Sequence, residues 1–234
     1  MKAIQPKQNN HMQKSKTWLW ILTAGILTAV FIAFTLMIEF VGVQKDGDHN
    51  IGFAELNFWW REIIGDNRGV WNLISNMMTF VTLLGLVVIL AFQVVMICRR
   101  KKLARHWWFL DLALLMLLVS YLFFEIVIVN YRPLLIDGVA EASYPSTHVL
   151  LLATFCPLII LTVWQEVSTR AWRWSVLGFG IVVMVIGIIA RALSGYHWLT
   201  DIIGSVFLGA VIVSWYLAFV VRYKLPVKDE KTNI

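Results

Sequence analysis

Residues 73–97, LISNMMTFVTLLGLVVILAFQVVMI, run for 25 positions without a charged side chain and then break into Cys98-Arg99-Arg100-Lys101-Lys102. About 20 mostly apolar residues in a helix cross the hydrocarbon core of a bilayer. A soluble core helix of that length would show a polar face, and this one shows none. The basic run at its end then marks the cytoplasmic boundary. This stretch alone predicts a membrane-spanning helix and the direction in which it points.

Five further runs read the same way: about Trp18 to Val41, Trp108 to Val129, His148 to Trp164, Trp174 to Leu193 and Thr200 to Val221. The fourth span in chain order, from His148, is the shortest and holds Pro157, which predicts a kink or tilt. The whole chain of 234 residues is 59% hydrophobic and 15% charged, against about 25% charged in an average globular domain. A soluble fold of this size could not bury so much apolar surface. Disorder, a secreted disulfide scaffold and a soluble nucleic-acid binder are excluded. Cys98 and Cys156 fall in different apolar runs, at no metal or redox spacing. No small-residue cleavage site follows the first run, so no removable signal is expected.

The net charge of +6 resolves by side. Lys2, Lys7, Lys14 and Lys16 precede the first span, and Arg99, Arg100, Lys101, Lys102 and Arg105 join the second to the third. Arg170 and Arg173 join the fourth to the fifth, and Arg222, Lys224, Lys228 and Lys231 follow the sixth. These are 15 of the 20 basic residues, and all fall on one side. Both termini are therefore expected in the cytoplasm, with residues 1–17 and 222–234 as tails around a six-span domain of residues 18–221. The basic balance is a topology signal, and no nucleic-acid partner or obligate protein partner is expected.

In the first outer connection, Gly42 to Asn72, Leu56, Phe58, Trp59, Trp60, Ile63 and Ile64 mix with Glu55, Arg61 and Glu62. That pattern predicts a short interfacial helix with its rings at headgroup depth. It serves as an aromatic anchor; the functional alternative is a lid or side wall for a lipid.

Polar residues at span ends gather on the outer side. Glu125, Asn130, Tyr131, Arg132 and Pro133 end the third span; Tyr144, Pro145, Ser146, Thr147 and His148 open the fourth; Arg191, Ser194, Gly195, His197 and Asp201 cover the turn from fifth to sixth. Charge at such depth is costly and marks function. Ser146 precedes an apolar helix, whose free N–H groups make an anion site. Arg132 and Arg191 offer planar forks for phosphate oxygens. His197 and Asp201, four apart, share a helix face, so the carboxylate can hold one ring nitrogen as N–H and leave the other as nucleophile or base. Singly, each residue reads as a lipid anchor or helix cap. Jointly, they converge on phosphate chemistry.

The set Arg132-Pro133, Pro145-Ser146-Thr147-His148, and Arg191 with His197 and Asp201 resembles the three-part signature of the type 2 phosphatidic acid phosphatase superfamily, in its bacterial membrane branch. The likeness covers roughly residues 70–221. It implies an all-α, six-span membrane hydrolase that removes phosphate from a lipid phosphate or diphosphate at the outer leaflet. It also implies His197 as the nucleophile that forms a phosphohistidine, Asp201 as its orienting group, and His148 as general acid and then base. Arg132, Arg191, Ser146 and Thr147 would hold the phosphate. No metal or other cofactor is implied. Phosphatidate, phosphatidylglycerol phosphate and polyprenyl diphosphate all remain open as substrates. Two positions depart from the signature: Ala190 stands in place of Ser, and Glu125 in place of Lys. Glu125 is expected to pair with Arg132 or Arg191; alternatively it meets a cationic substrate group. A lipid phosphotransferase, and a catalytically weakened lipid-phosphate binder or transporter, are the competing readings.

Overall fold

The computed structural model describes residues 6–65, 68–134 and 138–223. Lys2, Lys224, Lys228 and Lys231, counted above among the inner charges, lie outside them. The described chain forms α1 (Pro6–Phe40), β1 (Gln44–Asp46), β2 (His49–Ile51), α2 (Ala54–Ile64), α3 (Arg68–Cys98), α4 (Arg105–Ile126), α5 (Thr147–Glu166), α6 (Arg170–Leu193) and α7 (Leu199–Arg222). Six of these helices are long and apolar enough to cross a bilayer: α1 from Lys16 onward and α3 to α7. The protein is an all-α, multi-pass membrane protein.

Helix α1 begins at Pro6, well before its apolar run, so part of the expected tail is helical. Proline suits a first helical position because its missing N–H is not needed there. Helix α4 stops at Ile126, three residues short of the expected Val129, where Val127 turns extended. The reason is long-range: the chain beyond it pairs with residues 141–143 and needs β geometry. Helix α5 outlasts its apolar run and reaches Glu166, whose carboxylate accepts from Trp107 Nε1 at 2.9 Å and meets His106 Nε2 at 2.8 Å. The short helix expected in the first connection is present as α2. Ahead of it stands an antiparallel hairpin, β1–β2, turning at Gly47 with φ 61°.

Helices α5 and α7 form the centre. About half of the most apolar stretch of each is buried, 50% and 56%, against 11–28% for the other four spans. Helix α7 touches α1, α4 and α5, while α3 joins through α5 and α6. Between apolar helices in lipid, close packing of small residues drives association. A Cβ on Gly209 would come within 3.1 Å of the Ala153 backbone on α5, and one on Gly204 within 2.3 Å of the Tyr144 ring. Tyr144 is fully buried there, with its hydroxyl 2.7 Å from Thr35 Oγ1 on α1. The outward faces of α1, α3 and α4 carry large apolar side chains such as Leu22, Val87 and Leu115, as lipid contact requires.

Gly204→Ala should therefore lower the thermal midpoint in detergent, at a cost of about 1–3 kcal/mol for overpacking. The gain in helix propensity is about 1 kcal/mol at most and does not offset it. Gly25→Ala on α1, where nothing lies within 4 Å of the added carbon, is the matched control and should not lower the midpoint.

Candidate active site

Residues 130–132 and 141–143 form a short antiparallel link between α4 and α5. Arg132 N donates to Glu141 O at 3.0 Å, and Ser143 N donates to Asn130 O at 2.8 Å. Pro133 favours the extended conformation at Arg132 that this pairing needs. Across the site, α6 ends just after Arg191, and Gly195, at φ 69°, reverses the chain. His197 follows, two residues before α7. The turn between α4 and α5 thus lies against the turn between α6 and α7, at the end of the bundle opposite Arg99–Arg105 and Arg170–Arg173.

His197 is held from both sides. Its Nδ1 lies 2.9 Å from the backbone oxygen of Ser143, and its Nε2 lies 3.1 Å from Arg191 Nη2. A carbonyl can only accept and a guanidinium can only donate. Nδ1 therefore carries the proton, and Nε2 presents its lone pair. Arg191, 3% exposed, is itself fixed by donating Nη1 to Asn72 Oδ1 of α3 at 2.9 Å.

The direct hydrogen bond expected from Asp201 to His197 is not made. The two approach to 3.7 Å, while Asp201 Oδ2 accepts from Trp198 N at 2.9 Å and from the Ser143 hydroxyl. Asp201 Oδ1 accepts from Asn130 Nδ2 at 3.2 Å. Asp201 sits in the first turn of α7, where a carboxylate caps free N–H groups, and that task turns it away from the ring. Ser143 links the two, its hydroxyl lying 3.1 Å from His197 Nδ1 while it donates to Asp201.

His148 is the second residue of α5, within electrostatic reach of Arg191, His197 and Arg132. Its buried Nδ1 has no hydrogen-bond partner among the described residues. Ser146 occupies the N-cap position of α5, with its buried hydroxyl likewise unpartnered. Thr147 lines a small cavity of about 20 Å³ together with Glu125, Arg132, Ser143, Tyr144 and His197. The expected convergence of three separated segments is therefore realised in space.

The expected pairing of Glu125 with an arginine is not found. Arg132 Nη2 meets Glu141 at 3.3 Å and its Nε donates to Ala142 O, while Arg191 is taken by Asn72 and His197. The antiparallel link brings Glu141 to Arg132 and leaves Glu125 exposed at the cavity. Ala190 is fully buried. Sequence reasoning missed Ser143 and Asn72 and gave Asn130 no role. A polar Asn at the start of an otherwise apolar run was a visible signal for Asn72.

No protein-family model matches the chain, and no curated protein matches it significantly. A solved structure does: the crystal structure of the first transmembrane PAP2 type phosphatidylglycerolphosphate phosphatase from Bacillus subtilis, at 20% identity and a TM-score of 0.62, over 86% of this chain and 98% of that one. The chain has the PAP2 fold.

Within the PAP2 fold, the burial of His197 has a measurable consequence. Burial, aided by the Arg191 charge, holds the imidazole below its ordinary 6.5, against the opposing pull of Asp201. The folded state thus keeps the ring neutral where the unfolded chain takes up a proton. Stability contributed by neutral His197 is present above pH about 6.5 and falls as pH drops below it. Comparing detergent melting of the wild type and His197→Gln between pH 8 and pH 5 should show the wild type losing relative stability on the acid side. A difference that stays flat with pH would contradict a neutral buried ring.

Proposed function

We propose that the protein hydrolyses phosphate from a lipid phosphate or diphosphate through a covalent phosphohistidine on His197. The observation that carries the reading is the junction of two cavities. The polar cavity at His197 shares Tyr121, Thr147 and Leu150 with an apolar groove of about 470 Å³ between α3, α4 and α5. A phosphate beside His197 would leave its ester substituent at the mouth of a leucine-lined groove, including Leu86, Leu90, Leu114 and Leu118. That substituent is therefore a hydrocarbon tail.

The hydrogen bonds at His197 support the following course of reaction. Nε2 attacks phosphorus as the P–O bond to the lipid breaks, and His148 gives its proton to the leaving oxygen. Arg191 Nη2, which contacts Nε2 in the resting site, moves onto the phosphoryl oxygens with Arg132, Ser146 and Thr147. The ring gains positive charge in this step. Asp201, 3.7 Å from Nδ1, and the Ser143 carbonyl then stabilise it. His148 next takes a proton from the water that cleaves the N–P bond. The fold shared with a phosphatidylglycerolphosphate phosphatase supports this reaction class. Phosphatidylglycerol phosphate, phosphatidate and a polyprenyl diphosphate are the substrates to compare. The run of basic residues at the far end of the bundle supports an outer-leaflet site with cytoplasmic termini.

Two variants test the reading in detergent. His197→Ala should abolish phosphate release while the variant still melts cooperatively, at a lower midpoint because the buried ring and its bond to Arg191 are lost; retained turnover would overturn the nucleophile assignment. Leu118→Trp, which fills part of the groove, should raise KM several-fold for a long-chain lipid phosphate and spare a short-chain one. Equal effects on both would remove the groove from the substrate path.

A further inference from the structure

The mechanism above leaves one charged group of the cavity unused. Glu125 lies in the last turn of α4, four residues after Tyr121, so the two share a helix face. Both line the polar cavity, and Tyr121 also lines the apolar groove. Glu125 therefore stands near the junction, where the bond between phosphate and lipid would lie. It is exposed and makes no hydrogen bond or ion pair among the described residues. Arg132 faces Glu141, and Arg191 faces Asn72 and His197.

An ionised carboxylate beside a phosphate dianion is repulsive unless a positive charge lies between them. A hydroxyl on the substrate would give Glu125 a hydrogen bond yet leave the two negative charges facing each other. An ammonium answers both the charge and the hydrogen bond. We propose that Glu125 selects lipid phosphates whose leaving alcohol carries an ammonium group close to the phosphate ester. The phosphate then faces His197 and Arg191, the ammonium faces Glu125, and the tail follows Tyr121 into the groove. This rests on the hydrolase reading and adds the substrate class to it. Specificity arises on both sides: the amine gains an ion pair, and its neutral counterpart leaves a carboxylate uncompensated.

The test compares a sphingoid base phosphate with its N-acetyl derivative, which share tail and ester and differ in the charge on nitrogen. Phosphate release by the purified full chain in mixed micelles gives kcat/KM for each. The wild type should prefer the free amine by about tenfold, the factor expected of one charge-assisted contact. Glu125→Gln should bring the ratio close to one, and Glu125→Lys should invert it. Melting in the same detergent checks that each variant is folded; a merely structural Glu125 would change both rates together and leave the ratio untouched. Equal rates for the two lipids in the wild type, or a ratio unmoved in both variants, would overturn the proposal while the hydrolase reading stands. Absence of phosphate release from every lipid tested would overturn the hydrolase reading and this proposal with it.

Discussion

Asp201 is the buried charge to which the site is tied. It is fully buried and accepts hydrogen bonds from three places: Asn130 beyond α4, Ser143 ahead of α5, and the backbone of Trp198 at the start of α7. A buried carboxylate is tolerable only when its lone pairs are met, and here the donors that meet them belong to segments far apart in sequence. Satisfying one charge thus fixes two interhelical turns relative to each other. The Ser143 carbonyl is placed on His197 Nδ1 as a result. Removing the carboxylate would strand all three donors, so the geometry of His197 depends on a residue that does not hydrogen-bond to it.

Packing around this point explains why the charge can be buried at all. Gly204 lies one turn beyond Asp201 and leaves the space filled by the Tyr144 ring. Ser205, also on α7, donates its hydroxyl to Asp201 O at 2.6 Å, with Ser146 O 3.1 Å away. Small residues on α7 therefore let the turn before α5 sit close enough to reach Asp201. On the other flank, Asn57 of α2 donates to Thr200 Oγ1 at 3.0 Å, and Trp60 donates to Ala192 O at 3.1 Å. Helix α2 is thereby pinned over the turn that carries His197, with Phe58 packed edge-on to Trp198. Arg61, also on α2, lies over the same Trp198 ring at 5.7 Å.

The spans were legible because lipid imposes a simple rule on sequence: about 20 apolar residues with charge at the ends. The polar residues that the fold gathers at one end of the bundle were legible for the same reason, since polar groups at span ends are rare enough to stand out. What the sequence hid was set by long-range pairing. The end of α4 at Ile126, the choice of Glu141 over Glu125 as the partner of Arg132, and the carbonyl contact to His197 all depend on residues 130–132 meeting 141–143. No local periodicity encodes that meeting. The β1–β2 hairpin was missed because its strands are only three residues long, too short for alternation to register.

The resting contact between Arg191 and His197 adds a physical step between fold and chemistry. A buried guanidinium seeks an anion, yet here one of its N–H groups faces a neutral imidazole and Nε is unpartnered among the described residues. That arrangement leaves Arg191 under-satisfied in a low-dielectric setting, where a missing acceptor is costly. On the hydrolase reading, a phosphoryl group supplies the acceptors and draws Nη2 off Nε2, uncovering the lone pair at the moment an electrophile is present. Asn72 would hold the other end of the guanidinium during that exchange, so the arginine pivots and does not depart. On that reading the Nη2 group that now faces Nε2 would become a phosphate contact, and α3, through Asn72, would set how far it can swing.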